Sequence, residues 1–350
     1  MNKFWKNKKV LITGNTGFKG SWLSLLLLNL GASVKGYSLK CNYEPNIYKL
    51  YQLEEKFETV NGNILNLNKF KEILISFKPD IIFHLAAQPL VKKSYNNPYL
   101  TFKTNILGTI NIYECIKQIK NNIKVVINVT SDKVYRNEEK KIKFKEKDYL
   151  GGFDPYSCSK SCADLIEQSY RKSFLVENNI NSSTVRAGNV IGGGDWSKDR
   201  LIPDLIRSVK NDKDLIIRYP HAIRPWQHVL DPTYGYIKLA EKMYYNRNYS
   251  SEWNFGPEVN QVCSVEDLIN RFLIFFKKRK IVKKKRAIHL EAISLQLDIQ
   301  KVKKKLRWKP KWDLKKTIIE TANWYKEYLD GGDIKKITDE QIKNFLKISK

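Results

Sequence analysis

The chain has 350 residues, 42% of them hydrophobic and 12% aromatic, with 63 Lys+Arg against 36 Asp+Glu and a formal charge of +27. That length and apolar content allow one or two folded domains with a sizeable core, and the composition is that of a soluble globular chain, not a fibrous or disordered one. Lys, Asn and Ile abound along the whole chain, so the positive field reads as surface charge and not as a focused nucleic-acid stripe. No nucleic-acid partner is expected.

The first predicted element is the strand at Lys9–Thr13, followed by Gly14-Asn15-Thr16-Gly17-Phe18-Lys19-Gly20. A glycine-rich turn between a strand and a helix is the setting of a dinucleotide loop. Gly14 permits the tight turn, Gly17 lets backbone amides approach a diphosphate, and Gly20 lets the helix pack near the strand. The apolar run Trp22 to Leu30 imitates a signal peptide but is too short to span a membrane; behind this turn it reads as a buried helix. Further strands are expected at Ser33–Leu39, Phe57–Val60, Ile81–Leu85, Lys124–Val129 and Ser183–Ala187. Between them, Phe102, Ile106, Ile110, Tyr113 and Ile116 recur at helical spacing. Strands alternating with helices imply a parallel sheet with crossover helices. The second strand ends Gly36-Tyr37-Ser38-Leu39-Lys40 without the carboxylate that usually reads the adenosine ribose, which leaves NADP open beside NAD. Asn63 stands where an aspartate often reads the adenine amine, and its amide oxygen can accept the same hydrogen bond.

A helix is expected from Pro155, with Asp154 as N-cap, to about Leu175. On it Tyr156 and Lys160 share a face at i, i+4. The ammonium is expected to stabilise a tyrosinate and lower the phenol toward neutrality, making it a base for a sugar hydroxyl. Thr130-Ser131-Asp132-Lys133 follows the fifth strand and offers a hydroxyl, a carboxylate and an ammonium in sequence. Asn105, on the preceding helix, could anchor local backbone. After Ala187 come Gly192-Gly193-Gly194, expected to let backbone approach a ligand, and five prolines from Pro203 to Pro257, which read as a smaller loop-rich lobe. Trp226 either stacks on a base or fills that lobe. The densest basic run, Lys277 to Arg286, reads as a solvated connector or a strand with basic flanks, and the residues beyond Asp330 as a mobile lysine-rich tail. The five cysteines match no zinc module, and His221, His228 and His289 show no ligand pattern, so no metal is expected. Thiols that need not pair fit a reducing cytoplasm.

The order GxxGxxG, His84-Leu85-Ala86-Ala87-Gln88, TSDK and YxxxK resembles the extended short-chain dehydrogenase/reductase family, in its nucleotide-sugar dehydratase branch. The resemblance spans roughly residues 8 to 325 and includes the long segments at Gly14–Ser24, Arg186–Trp196, Asp199–Asp204 and His221–Pro232. It implies a Rossmann-type doubly wound parallel sheet with a smaller C-terminal substrate-binding lobe. The first unit would be residues 1–187 plus a return at about 225–256; the lobe would be about 188–224 plus 257–330. It implies NAD held by Gly14, Thr16, Gly17, Phe18, Gly20, Asn63, Ile64, Leu85, Ala86, Ala87, Asn105, Tyr156 and Lys160. It implies a nucleotide-linked glucose, with CDP-glucose as the substrate, contacted by Gln88, Asn189, Arg200 and Arg224, and Ser131, Asp132, Lys133, Tyr156 and Lys160 as catalytic groups. The reaction implied is oxidation at C4, loss of water across C5 and C6, and return of the hydride to C6. Lys133 stands where related dehydratases carry a glutamate, and acts as base only if neutral. A homodimer through the two long helices, or a tetramer, is the family expectation. A 4-epimerase would use the same Ser/Tyr/Lys set without Asp132 and Lys133.

Overall fold

The structure is a computed structural model describing residues 2–41, 44–119, 122–138, 143–217, 219–258, 261–276, 282–284 and 295–347. Its centre is a seven-stranded sheet formed by β1 (Lys9–Thr13), β2 (Ser33–Ser38), β3 (Thr59–Asn61), β4 (Ile81–His84), β5 (Val125–Val129), β6 (Asn181–Ala187) and β7 (Trp253–Phe255). The order is β3-β2-β1-β4-β5-β6-β7 and every pairing is parallel. All residues of β4 and β5 are buried, as strands covered on both faces require. The chain changes direction across the sheet between β1 and β4, so the crevice beyond their carboxyl ends is where a ligand belongs.

The long helices on the two faces are α1 (Phe18–Asn29), α2 (Leu67–Phe77), α3 (Gly108–Gln118), α4 (Pro155–Tyr170), α5 (Leu201–Asn211), α6 (Leu230–Tyr245), α7 (Leu314–Leu329) and α8 (Ile334–Lys347). The run at Trp22 is α1, apolar on all sides because it is enclosed by the sheet and α6. Among the described residues no helix is long and apolar enough to cross a membrane. α4 begins as expected, with Pro155 in its first turn and the Asp154 carboxylate accepting Ser157 N at 3.0 Å; a π-turn at Arg171–Leu175 continues it.

Three expectations change. β7 had no signal: Trp253-Asn254-Phe255 is too short to show alternation, and it is strand because it pairs with β6 at Val185–Ala187. The residues beyond Asp330 do not form a loose tail. α8 packs on α7 with Ile342 and Phe345 buried, the Trp324 indole donates to Thr338 at 2.9 Å, and Tyr51 donates to Asp339 at 2.7 Å. The lysines of α8 lie on its outer face, which is why composition alone misreads it. The triple glycine serves packing: a Cβ on Gly193 would lie 2.0 Å from the Trp324 ring, and Gly194 (φ +80°) turns against Ile47. Of the basic run Lys277 to Arg286, Val282–Lys284 forms a short strand beside Leu215–Ile217; the rest of the run and His289 lie outside the described residues.

Candidate functional site

The glycine turn closes the carboxyl end of β1. Gly14 has φ +75°, and a Cβ there would meet Ala86 N at 2.8 Å; a Cβ on Gly20 would meet Gly14 O at 2.2 Å. Both glycines are therefore required by backbone approach. Gly17 differs: its missing Cβ faces open space apart from its own turn. It is the N-cap of α1 and no side chain caps the helix. The first-turn amides of Phe18, Lys19 and Gly20 are thus left for a ligand, and the helix dipole favours an anion. A dinucleotide fits this cradle. The Thr13 hydroxyl holds the opposite wall, accepting from Leu85 N and Ala86 N at 3.2 Å each, and Ala87 follows them. Thr16 does not face outward: its hydroxyl bonds Ser38 Oγ at 2.8 Å and Leu39 O at 3.1 Å, tying the turn to β2. The Phe18 ring is in the core. Ile64 is buried, its carbonyl accepting from Asn111 at 3.1 Å; Asn63 beside it is exposed, and its side-chain oxygen already accepts Leu65 N at 3.0 Å.

His84 is a structural residue. It sits between Thr13 Oγ1 (2.7 Å) and Thr109 Oγ1 (3.3 Å), and burial, helped by the Lys160 cation, lowers it to about 3. Asn105 anchors local backbone, as its place in the sequence suggested, whereas Gln88 departs from its expected place at the sugar. Asn105 accepts from Gln88 N at 2.8 Å and donates to Gln88 O and Ser159 Oγ. Gln88 spends its amide on Leu90 and Thr101. Both are buried and saturated by protein partners, so they brace the loop after β4 rather than present groups to a ligand.

Beyond β5, the Ser131 hydroxyl donates to Asp132 Oδ1 at 2.9 Å and accepts Lys133 N at 3.2 Å. The Tyr156 phenol, on the first turn of α4, stands close enough to the Ser131 hydroxyl for that group to favour its ionised form. Asp132 Oδ2 lies 3.2 Å from where a Gly188 Cβ would stand, so Gly188 gives the carboxylate its room. Lys133 is half-buried. Tyr156 thus stands beside the hydrogen-bonded Ser131–Asp132 pair. The expected lowering of Tyr156 by Lys160 does not appear. Burial pushes Tyr156 up to about 12; the groups pulling it down are Ser131 and the Arg200 guanidinium, with Asp132 and Asp154 opposing. Lys160 is engaged elsewhere: its ammonium donates to Val129 O at 3.0 Å, and burial, then the Lys19 cation, lower it to about 8.

Arg200 stands at the start of α5, held by Asp195 at 2.9 Å. Arg224 is buried in the short strand Ile223–Pro225, and Asn189 fixes Gln227 N through its backbone carbonyl at 3.1 Å. A narrow cleft bounded by Gly188, Pro225, Gly256, Glu258 and Gln296 opens beside Asp132. Trp226 is buried in the main hydrophobic core.

One residue escaped the sequence reading. Arg186 is fully buried, paired in a fork with Asp164 (2.7 and 2.8 Å) and donating to Tyr135 and Glu146 O; Asp164 also accepts from Thr130 at 3.1 Å. This network fixes the residue before Ser131.

Comparison with known proteins agrees with this layout. The family model described as GDP-mannose 4,6 dehydratase matches residues 11–321. The chain is 42% identical to the CDP-glucose 4,6-dehydratase of Salmonella typhimurium over 98% of its own length and 97% of that enzyme. It is 25% identical to the UDP-glucose 4-epimerase of Pisum sativum over 91% of this chain and 96% of that one. Among solved structures, the dTDP-glucose 4,6-dehydratase of Bacillus anthracis in complex with NAD superposes with a TM-score of 0.79 at 21% identity, covering 93% of this chain and 98% of that chain. The UDP-glucose 4-epimerase of Thermotoga maritima with UDP-glucose gives 0.80 at 21% identity, covering 92% and 99%.

Proposed function

The chain belongs to the GDP-mannose 4,6-dehydratase family of nucleotide-sugar enzymes within the extended short-chain dehydrogenases/reductases, and from that premise we propose that it converts CDP-glucose to CDP-4-keto-6-deoxyglucose with NAD as a retained cofactor. The observation that carries the reading is the joined set Tyr156–Ser131–Asp132 at the mouth of β5, in a chain with 42% identity to a CDP-glucose 4,6-dehydratase over nearly its whole length. NAD would lie on the Gly14–Gly20 turn and against Ile64, Leu85, Ala86, Ala87 and Lys160. Bound there, it would supply the hydride acceptor for oxidation at C4 and the hydride donor for C6, so that the net change is loss of water.

The protein's own groups handle the protons. In its ionised form Tyr156 accepts the proton of the 4-hydroxyl, and Ser131 holds that oxygen. The ketone formed at C4 makes the C5 hydrogen acidic, and Lys133 removes it. Asp132 protonates the departing C6 oxygen, which leaves as water, and a proton returns to C5. Arg200 favours the ionised phenol by Coulombic attraction, and Arg200, Arg224 and Asn189 hold the nucleotide. An epimerase needs no acid at C6; Asp132, buried and bonded to Ser131, favours dehydration.

In this reading residues 1–187 with about 225–256 bind the cofactor, and 188–224 with 257–330 bind the sugar nucleotide. The product feeds deoxysugar assembly such as that of O-antigen. The enzyme pairs as a homodimer through α3 and α4, whose outer sides leave Leu107, Leu165 and Phe174 exposed. Light scattering tests the pairing. The activity is tested by parallel incubation with CDP-, UDP- and dTDP-glucose, each with NAD and NADP, read by mass spectrometry. A product lighter by one water from CDP-glucose is expected; no mass loss from any of the three sinks the proposal, and epimerised product of unchanged mass selects the epimerase.

A further inference from the structure

The segment Ser131–Val134 hangs between two anchors, and both lead to one buried cation. On its near side the Thr130 hydroxyl donates to Asp164 Oδ2 at 3.1 Å, and Asp164 accepts Arg186 in a fork at 2.8 and 2.7 Å. On its far side the Tyr135 hydroxyl accepts from the same guanidinium at 2.8 Å, and the Tyr135 ring lies beneath it at 4.9 Å. The hydroxyl then donates to Asn254 Oδ1 of β7 at 2.7 Å. Arg186 spends its remaining bond on Glu146 O at 3.0 Å. Thr130, Tyr135, Asp164, Arg186 and Asn254 are all buried, so this network holds its neighbours and meets no solvent.

The same network registers the segment against α4. Asp164 lies about one helical turn beyond Lys160 and two beyond Tyr156, on the same face. Lys160 donates to Val129 O at 3.0 Å, and Ser161 donates to Val134 O at 2.7 Å. The helix that carries Tyr156 is therefore fastened to the chain before Ser131 and after Lys133. A buried ion pair is no better for stability, on average, than apolar side chains of the same size. What Arg186 and Asp164 supply that apolar residues would not is direction: one fixed point for both ends of the segment.

The proposed chemistry needs that fixed point. Asp132 and Lys133 must reach C6 and C5 of the sugar while Tyr156 and Ser131 hold the oxygen on C4. These atoms belong to one ring, so the two sets of groups have to keep their separation to a fraction of an ångström. Resting on the reading above, we propose that Arg186 and Asp164 are positioning residues for the elimination, which clamp Ser131–Val134 at Thr130 and Tyr135 and set Asp132 and Lys133 against Tyr156.

The test cuts the anchors and leaves the ion pair whole. In Thr130→Val, Asp164 keeps both bonds from Arg186 and Val185 O keeps Thr130 N at 3.0 Å, so no buried group is stranded. Turnover of CDP-glucose by the purified full chain should fall between about tenfold and a hundredfold. KM, NAD affinity and the urea midpoint should stay near wild type, because binding is untouched. Reduced nicotinamide should accumulate on mixing, since oxidation continues while elimination stalls. Thr130→Ser keeps the hydroxyl and should recover most of the turnover; a packing role would give the reverse order, with valine active and serine impaired. Tyr135→Phe should repeat the loss of turnover, with some loss of stability because Asn254 Oδ1 loses that donor. A readout independent of activity is amide hydrogen exchange: a peptide covering 131–134 should exchange faster in Thr130→Val by about tenfold, and one covering 156–160 should not change. Wild-type turnover or wild-type exchange in Thr130→Val overturns the proposal, and so does a serine variant no better than the valine. A wild type that dehydrates no nucleotide-linked glucose overturns the functional reading, while the exchange comparison still decides whether the clamp holds the segment.

Discussion

Ser131 donates its hydroxyl hydrogen to Asp132 Oδ1 at 2.9 Å, and the same hydroxyl favours the ionised form of the neighbouring Tyr156 phenol. One hydroxyl thus joins the proposed base for the 4-hydroxyl to the proposed acid for C6. Removing the acid alone should separate the two stages. Asp132→Asn keeps an acceptor for Ser131 but has no proton to give, so turnover should fall by about 10²- to 10⁴-fold. Reduction of bound nicotinamide on mixing with CDP-glucose should persist, while product lighter by one water disappears. Ser131→Ala should impair both stages. Equal loss of both in Asp132→Asn would remove Asp132 from the elimination.

Lys133 follows Asp132 and is half-buried. If it takes the C5 proton, Lys133→Ala should retain oxidation at C4 and lose exchange of the C5 hydrogen with deuterated solvent. Exchange is read by mass spectrometry or proton NMR of recovered sugar nucleotide. Exchange at the wild-type rate would exclude Lys133 from this step.

Residues whose chemistry is local were legible in the sequence. Gly14, Gly17 and Gly20 and Asp154 capping α4 follow from turn and cap geometry, while the nearness of Tyr156 to Ser131 was implied by the family resemblance. Side chains whose roles depend on distant partners were not. Gln88 lies 17 residues from Asn105 and its backbone is held by that side chain, so a glutamine expected at the sugar braces the loop instead. Lys160 turned to Val129 O because that carbonyl ends the strand beside α4. β7 exists only through its pairing with β6. The lysines of α8 hid a helix whose other face packs on α7.

The Arg186–Asp164 pair offers a test of positioning. Both side chains are fully buried, and Asp164 also holds Thr130, next to Ser131. Asp164→Asn would leave the guanidinium uncompensated and should cost about 3–5 kcal/mol of stability, measured by urea unfolding. Replacing both partners, as Asp164→Leu with Arg186→Met, should cost less than Asp164→Asn alone, because no charge is left stranded. A double variant less stable than the single would mean that the pair itself is net stabilising here.

Asp231 bears on stability at a distance from the chemistry. It is buried in the first turn of α6; one carboxylate oxygen accepts Lys311 N at 2.6 Å and the other has no hydrogen-bond partner. Burial raises it from 3.8 to about 7, with the backbone bonds from Lys311 and Trp312 and the Lys311 charge opposing. Between those two values the native state binds more proton than the unfolded chain, so this group's contribution falls as pH rises through that window and is constant above it. His84 and His228, both lowered to about 3 by burial, act in the opposite direction below 6.5, and Glu167, raised to about 7, acts in the same direction as Asp231. The total profile therefore conceals Asp231, but a difference between two proteins isolates it. Asp231→Asn cannot ionise, so its stability relative to wild type should climb by roughly 1 kcal/mol per pH unit from pH 4 to 7 and then level off. Urea midpoints at several pH values measure it. A gap that does not change with pH would mean that Asp231 has the same proton affinity folded and unfolded, and that its buried, unbonded oxygen reaches water.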